Sequence, residues 1–235
     1  TKANLNKLKL VSWPTKLYVA AKSIKEFKKI KSSIKNKHVK DVVYWPILEK
    51  KEGYWISPFS KRNALLRVLG EIKDTPVMID AELPTTKNPW LFITQKANFF
   101  RNRKLIRKFV SGSPEVYVAE YYPTGKFKEA IMSFLGLHFD LNKFNSKVIK
   151  MVYHSMHNFN RDFITQKIKD GKAEFGKRFI VGYGIIAHGI DGDEQMLSLE
   201  QLEEDLKIAK VAGISEVIIF RLGGFNKGYV SVIKE

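Results

Sequence analysis

Short runs rich in Val, Ile and Tyr recur along the chain at intervals of roughly 25–40 residues, separated by amphipathic helical patterns. The runs are Leu17–Ala21, Val39–Leu48, Pro76–Leu83, Glu115–Tyr122, Lys147–His154, Arg178–Ala187 and Ser215–Leu222. Each is nearly continuous in apolar character, as in parallel strands covered by helices. Between them, Ser23–Lys35, Lys61–Lys73, Pro89–Val110, Lys126–Phe134, Arg161–Lys169 and Leu197–Ala212 carry apolar residues at helical spacing. In the last of these Ser198 is placed to cap the N-terminus, glutamates fill the first turns and Gly213 stops the helix.

Such alternation builds a closed barrel or an open, doubly wound sheet. The first strand is followed by Ala20-Ala21-Lys22-Ser23, which lacks the glycines of a dinucleotide-binding turn. Polar residues collect instead at the C-terminal ends of the strands, where barrel enzymes build their sites. The expectation is a single (β/α)8 TIM-type barrel domain over residues 1–235. Leu8–Trp13 or Tyr229–Ile233 must supply an eighth strand; without one the barrel is incomplete or seven-stranded.

The chain has 235 residues, and a compact domain of that size buries roughly 70–75% of its unfolded surface, so no staple is required. There are no cysteines, which excludes disulfides, thiolate metal sites and a cysteine nucleophile. A surplus of 41 Lys and Arg over 24 Asp and Glu gives a formal charge of +17. That field favours anionic partners such as nucleic acid, acidic polysaccharide or an anionic lipid surface. Many lysines nevertheless fall on the outer faces of helices, as around the buried stripe Ile24, Phe27, Ile30 and Ile34, where they are solvated. No apolar run reaches the roughly 20 residues of a membrane-spanning helix, and the compartment, cytoplasmic or exported, is left open.

Three carboxylates stand out. Asp80 and Glu82 alternate along Val77-Met-Ile-Asp-Ala-Glu82 and so point the same way. Glu120 ends an otherwise apolar strand, and neighbouring strands lie about 4.8 Å apart, so the three are expected to converge. Unpaired buried acids are costly. Ion pairing with Arg221 or Lys22 is the structural alternative to a catalytic task, and Arg221 holding one catalytic carboxylate combines the two.

Ile79-Asp-Ala-Glu-Leu-Pro84 resembles the D-x-E strand end of (β/α) barrel glycoside hydrolases, notably their lysozyme-like and chitinase-like groups. The resemblance covers six residues. It implies Glu82 as general acid and Asp80 as its supporting group, whereas Glu120 matches no motif and enters as the second carboxylate by position alone. The two further aspartates upstream in the chitinase-like pattern are missing, with Thr75, Pro76 and Met78 in that stretch, so substrate-assisted cleavage is not implied. Glycosidic cleavage needs a protonated acid at the leaving oxygen and an ionised carboxylate, about 5–5.5 Å apart for retention and about 6.5–9.5 Å for inversion. Crowding acids raises the pKa of one of them, which keeps a proton donor available near neutrality.

Sugars also need aromatic platforms. Tyr44, Trp45, Tyr54, Trp55, Trp90, Tyr121 and Tyr122 cluster near strand ends and are candidates, although packing accounts for many such rings. The candidate substrate-binding set is Tyr44, Trp45, Trp55, Tyr122, His154, Tyr183 (within Gly182-Tyr-Gly184) and Arg221. No metal or other cofactor is expected for glycan cleavage. The alternative is a divalent metal held by His154, His157 and His188 with the carboxylates, serving a phosphoesterase or nuclease. A non-catalytic barrel binding an anionic polymer is the third reading. Asp191-Gly-Asp-Glu194 resembles a calcium loop only in composition.

Overall fold

A computed structural model describes residues 2–72, 74–84, 90–120, 126–140, 143–152, 160–185 and 196–234. Their elements run α1 (Lys2–Leu5), β1 (Thr15–Ala21), α2 (Ile24–Ser33), β2 (Val39–Pro46), α3 (Arg62–Glu71), β3 (Val77–Asp80), α4 (Trp90–Thr94), α5 (Phe99–Gly112) and β4 (Val116–Glu120). There follow α6 (Lys126–Phe134), β5 (Lys147–Val152), α7 (Arg161–Phe175), β6 (Phe179–Gly184), α8 (Leu199–Val211), β7 (Val217–Phe220) and α9 (Lys227–Lys234). The seven strands lie in a sheet whose order is the chain order, β1 to β7. β2–β3, β3–β4 and β6–β7 pair in parallel. An order without reversal has no topological switch point, so the sheet is not doubly wound.

Two compact units hold these elements: Lys16–Lys35 with Val39–Val148, and Thr1–Thr15 with Asn36–His38 and Ile149–Glu235. In the first, the β1–β4 unit, alternation along the strands sends Val19, Ala21, Val42, Tyr44, Val77, Ile79, Ala81, Val116 and Val118 into one apolar core with α2, α3 and α5. Leu65, Val68, Ile106 and Val110 close it from the helix side, each contributing about 1.5–3 kcal/mol by leaving water. α2 forms as the sequence predicts, with Ser23 accepting a hydrogen bond from the Glu26 amide and Phe27 fully buried. The other face of this unit carries Tyr117, whose hydroxyl donates to Glu115 at 2.6 Å and accepts from Lys16 at 2.7 Å and Lys147 at 3.1 Å. This network ties together the N-terminal ends of β1, β4 and β5.

In the second, the β6–β7 unit, Ser198 caps α8 by accepting from the Gln201 amide, and Gly213 adopts φ 69° just beyond the helix. Gly171 on α7 lies so close to the Phe179 ring that an added Cβ would stand 2.4 Å from it. Any side chain in its place would displace the Phe179 ring or push α7 from β6.

Two expectations are revised. Leu8–Trp13 begins in a 3-10 turn and Tyr229–Ile233 lies within α9, so neither is a strand and the described residues hold seven. Asn226 explains the latter, because its side chain accepts from the Tyr229 amide and starts a helix instead. The Pro89–Val110 segment is also broken, with a 3-10 turn at Lys96–Asn98 between α4 and α5. A straight helix would set Leu91 about 80° around the axis from Phe99; the turn lets both be buried.

The helical glycines test this packing. Gly171→Ala should cost roughly 1–3 kcal/mol through overlap with Phe179. Gly70→Ala at an exposed position of α3, where nothing stands within 4 Å, should gain about 0.4–1 kcal/mol. Denaturant midpoints measure both.

Candidate active site

The register of β3 against β4 decides which acids meet. Val77↔Val116 and Ile79↔Val118 face the helices, whereas Met78↔Tyr117 and Asp80↔Ala119 face the opposite side. Asp80 is the last residue of β3 and is only 5% exposed. Glu82 follows two residues later, beyond the strand end and half-buried. Burial pushes the Asp80 carboxyl well above the ordinary range, and the nearby charge of Glu82 pushes it further, while the polar N–H of the Trp45 indole draws it back. These two acids therefore interact as the D-x-E spacing predicts.

Glu120 does not join them. It follows Ala119 in β4 and so turns back to the helix-facing side, where it is fully buried. Its Oε1 accepts from the Phe139 amide at 2.8 Å and its Oε2 lies 2.8 Å from His138 Nδ1. The other ring nitrogen of His138 is 3.3 Å from Glu129 Oε1. The expected convergence of three carboxylates is thus corrected to two: the period-2 alternation that unites Asp80 with Glu82 separates Glu120 from Asp80. Glu120 anchors the segment after α6 to the end of β4.

The same alternation sorts the aromatic candidates. Tyr44 pairs with Val77, faces the helices and stacks on Phe27 with centroids 4.9 Å apart. It is fully buried, its hydroxyl pKa is raised by that burial, and it has no surface to offer a substrate. Trp45, the next residue, faces Asp80. Its ring lies parallel to Trp55 at 6.1 Å and 3°, and Tyr54 meets Trp55 edge-on at 4.4 Å. Trp45 is half-buried and Trp55 is 4% exposed, so Trp45 presents a face and Trp55 backs it.

The loop that delivers Trp55 is held firmly. Glu49 and Glu52 cap a 3-10 turn reciprocally, and Lys22 and Arg67 pair with them at 2.8 and 2.9 Å. Gly53 takes φ 120°, and a Cβ there would meet Ser60 Oγ at 2.7 Å. Ser60 Oγ donates to the Trp55 carbonyl at 2.6 Å. Asn102 of α5, fully buried, donates to the carbonyls of Pro58 and Ser60 at 3.0 Å each and accepts from Arg62.

The remaining candidates lie elsewhere. Tyr183 belongs to the β6–β7 unit, is fully buried and donates to the Asp205 carbonyl of α8 at 2.8 Å, which makes it a core residue rather than a site residue. Arg221, in the same unit, follows β7; its Nε is enclosed without a hydrogen-bond partner among the described residues. Lys22 pairs with Glu49 rather than with a site acid. Trp90 is exposed on α4. Tyr121, Tyr122, His154, His157, His188 and Asp191–Glu194 lie outside the described residues. Among those described, no group of three metal-ligating side chains forms, and no helix is long and apolar enough to cross a membrane.

Asn102, Lys150 and His138 belong to no motif; the first two are buried and His138 is half-buried. Asn102 had a signal, a polar residue on the stripe Phe99, Ile106 and Val110 of an amphipathic helix. Lys150 interrupts apolar β5 and is 5% exposed. His138 stands between Leu137 and Phe139 with nothing to mark its pairing with Glu120. Compared with protein-family models and with curated proteins, the chain matches none.

Because the folded protein holds the Asp80 proton more tightly than the unfolded chain, Asp80 lowers stability as pH rises from the ordinary aspartate range through its folded pKa. Asp80→Asn should therefore melt at a higher temperature than the wild type at pH 7, with the difference vanishing at acid pH. Melting curves of both proteins across pH check this.

Proposed function

We propose that this chain is a glycoside hydrolase-like enzyme of the (β/α) barrel kind, with Asp80 and Glu82 as its acid pair. The observation that carries the reading is an enclosed aspartate with a raised pKa, coupled to a more open glutamate and set beside an indole face. The unreversed strand order supports a singly wound (β/α)8 barrel or its seven-stranded variant. The position of the pair at the C-terminal end of a strand is the usual one for barrel catalysis.

In this reading a sugar ring stacks on Trp45, a contact typical of carbohydrate recognition because the axial C–H groups pack on the indole face. The proton that the pair holds, resident on Asp80 at rest, passes through half-exposed Glu82 to the glycosidic oxygen as the bond to the anomeric carbon breaks. Asp80 keeps the pair short of one negative charge, because two adjacent carboxylates resist ionising together. Water adds its hydroxyl to the anomeric carbon and returns its proton to the pair, which restores the starting state. Glu120 takes no part in the chemistry and holds the fold around His138. Tyr122 is proposed as a substrate-positioning residue, with polysaccharide or another glycan as substrate.

Glu82→Gln should fold normally and lose roughly 10²–10⁴ in kcat on a glycan substrate. Glu120→Gln should lower the melting temperature, with the folded fraction keeping kcat. Release of reducing ends from a panel of glycans measures both. Wild-type cleavage of phosphodiesters that stops in EDTA and returns with zinc or manganese would replace this reading with a metal-dependent phosphoesterase or nuclease. A wild type without turnover that binds polyanions with steep salt dependence would replace it with a non-catalytic binding barrel.

A further inference from the structure

α6 exposes its apolar side. Phe127, Ile131 and Phe134 stand at i, i+4 and i+7, so they form one stripe, and they are 79%, 42% and 53% exposed. The stripe continues onto α5, where Phe134 lies 5.7 Å from Phe99 and 6.3 Å from Phe100, itself 66% exposed. α4 adds exposed Trp90 and Ile93, and the rings of Phe92, Phe59 and Phe99, each 5.0 Å from the next, connect it to α5. Burying such side chains is worth about 1.5–3 kcal/mol each, so a contiguous exposed group marks a surface that something covers.

Phe100 also lines a groove of about 520 Å³ together with Arg103, Lys104, Arg107, Lys108 and Lys143. Among the described residues no carboxylate lines it, although the lining Lys143 pairs with Asp140 at 3.1 Å. The Arg103 guanidinium stands over Phe134 at 6.0 Å and that of Arg107 over Phe144 at 4.8 Å, so cations and rings are interleaved. Burial and then the charge of Arg103 depress the Arg107 pKa, against the opposing pull of Asp140.

We propose that this face of α4, α5 and α6 docks on an anionic lipid bilayer. Aromatic and aliphatic side chains enter the headgroup–acyl boundary while the adjoining lysines and arginines meet lipid phosphates. A nucleic acid or acidic polysaccharide would use the cations and some rings but gives no reason to expose Ile93 and Ile131. A second copy would set one basic groove against another, and a net charge of +17 opposes that. The bilayer satisfies both halves of the surface. Docking is independent of the proposed hydrolysis.

Co-sedimentation with vesicles tests it, using phosphatidylcholine alone and phosphatidylcholine containing about one phosphatidylglycerol in three. The protein should bind the mixed vesicles and not the neutral ones, with a blue shift in tryptophan emission that is lost in Trp90→Phe. Lys104→Gln/Lys108→Gln, at exposed positions, should weaken binding about thirtyfold. Phe127→Ser/Ile131→Ser should weaken it on the order of a hundredfold with an unchanged melting temperature. Several results overturn the proposal: no binding to mixed vesicles, equal binding to neutral ones, or full binding by the Phe127→Ser/Ile131→Ser variant. So does vesicle-free dimerisation that this variant abolishes, or a preference for polyanions over vesicles that it leaves intact.

Discussion

The alternation of side chains along β3 and β4 is the constraint from which the site follows. In parallel strands with Asp80 opposite Ala119, one face receives Val77, Ile79 and Ala81 with Val116 and Val118, and the other receives Met78, Asp80 and Tyr117. The first face is the apolar core under the helices. The second carries the acid pair and Trp45. A shift of one residue would exchange the faces and drive Asp80 into the apolar core, so the burial of five aliphatic side chains fixes the position of one carboxyl group.

Holding Asp80 in an enclosed position beside Glu82 opposes stability. The surrounding structure supplies what offsets it. The loop between β2 and α3 is tied by Asn102, Ser60 and the Glu49–Glu52 cap, so Trp55 and Trp45 are ordered before any ligand arrives. A site pre-arranged on strand ends and on a fastened loop spends little on ordering when substrate binds. At the other ends of the strands, Tyr117 with Glu115, Lys16 and Lys147 satisfies its polar groups internally.

Much of this was legible in the chain. The spacing of Val/Ile runs predicts all seven strands within a few residues, and Ser23, Ser198 and Gly213 mark the helix ends the structure uses. Asp80 with Glu82 was legible because their relation is local, two residues along one chain segment. What failed was non-local. Whether Glu120 meets Asp80 depends on the register between strands, and a one-residue difference reverses the answer. Tyr44 and Tyr183 failed for the same reason, since rings at strand ends face helix or site according to register, and composition does not say which. The His138–Glu120 pair spans a helix and a turn, and nothing in the intervening residues signals it. The break between α4 and α5 was hidden because apolar spacing continues across it.

The central claim is that burial and Glu82 together keep Asp80 protonated well above the usual aspartate range. Carboxyl carbon NMR titration of wild type and Glu82→Gln measures this directly. The account predicts a raised Asp80 midpoint in the wild type and a lower, though still raised, midpoint once the Glu82 charge is removed. An Asp80 carboxyl that titrates near the ordinary value of about 3.9, unchanged by Glu82→Gln, would contradict it.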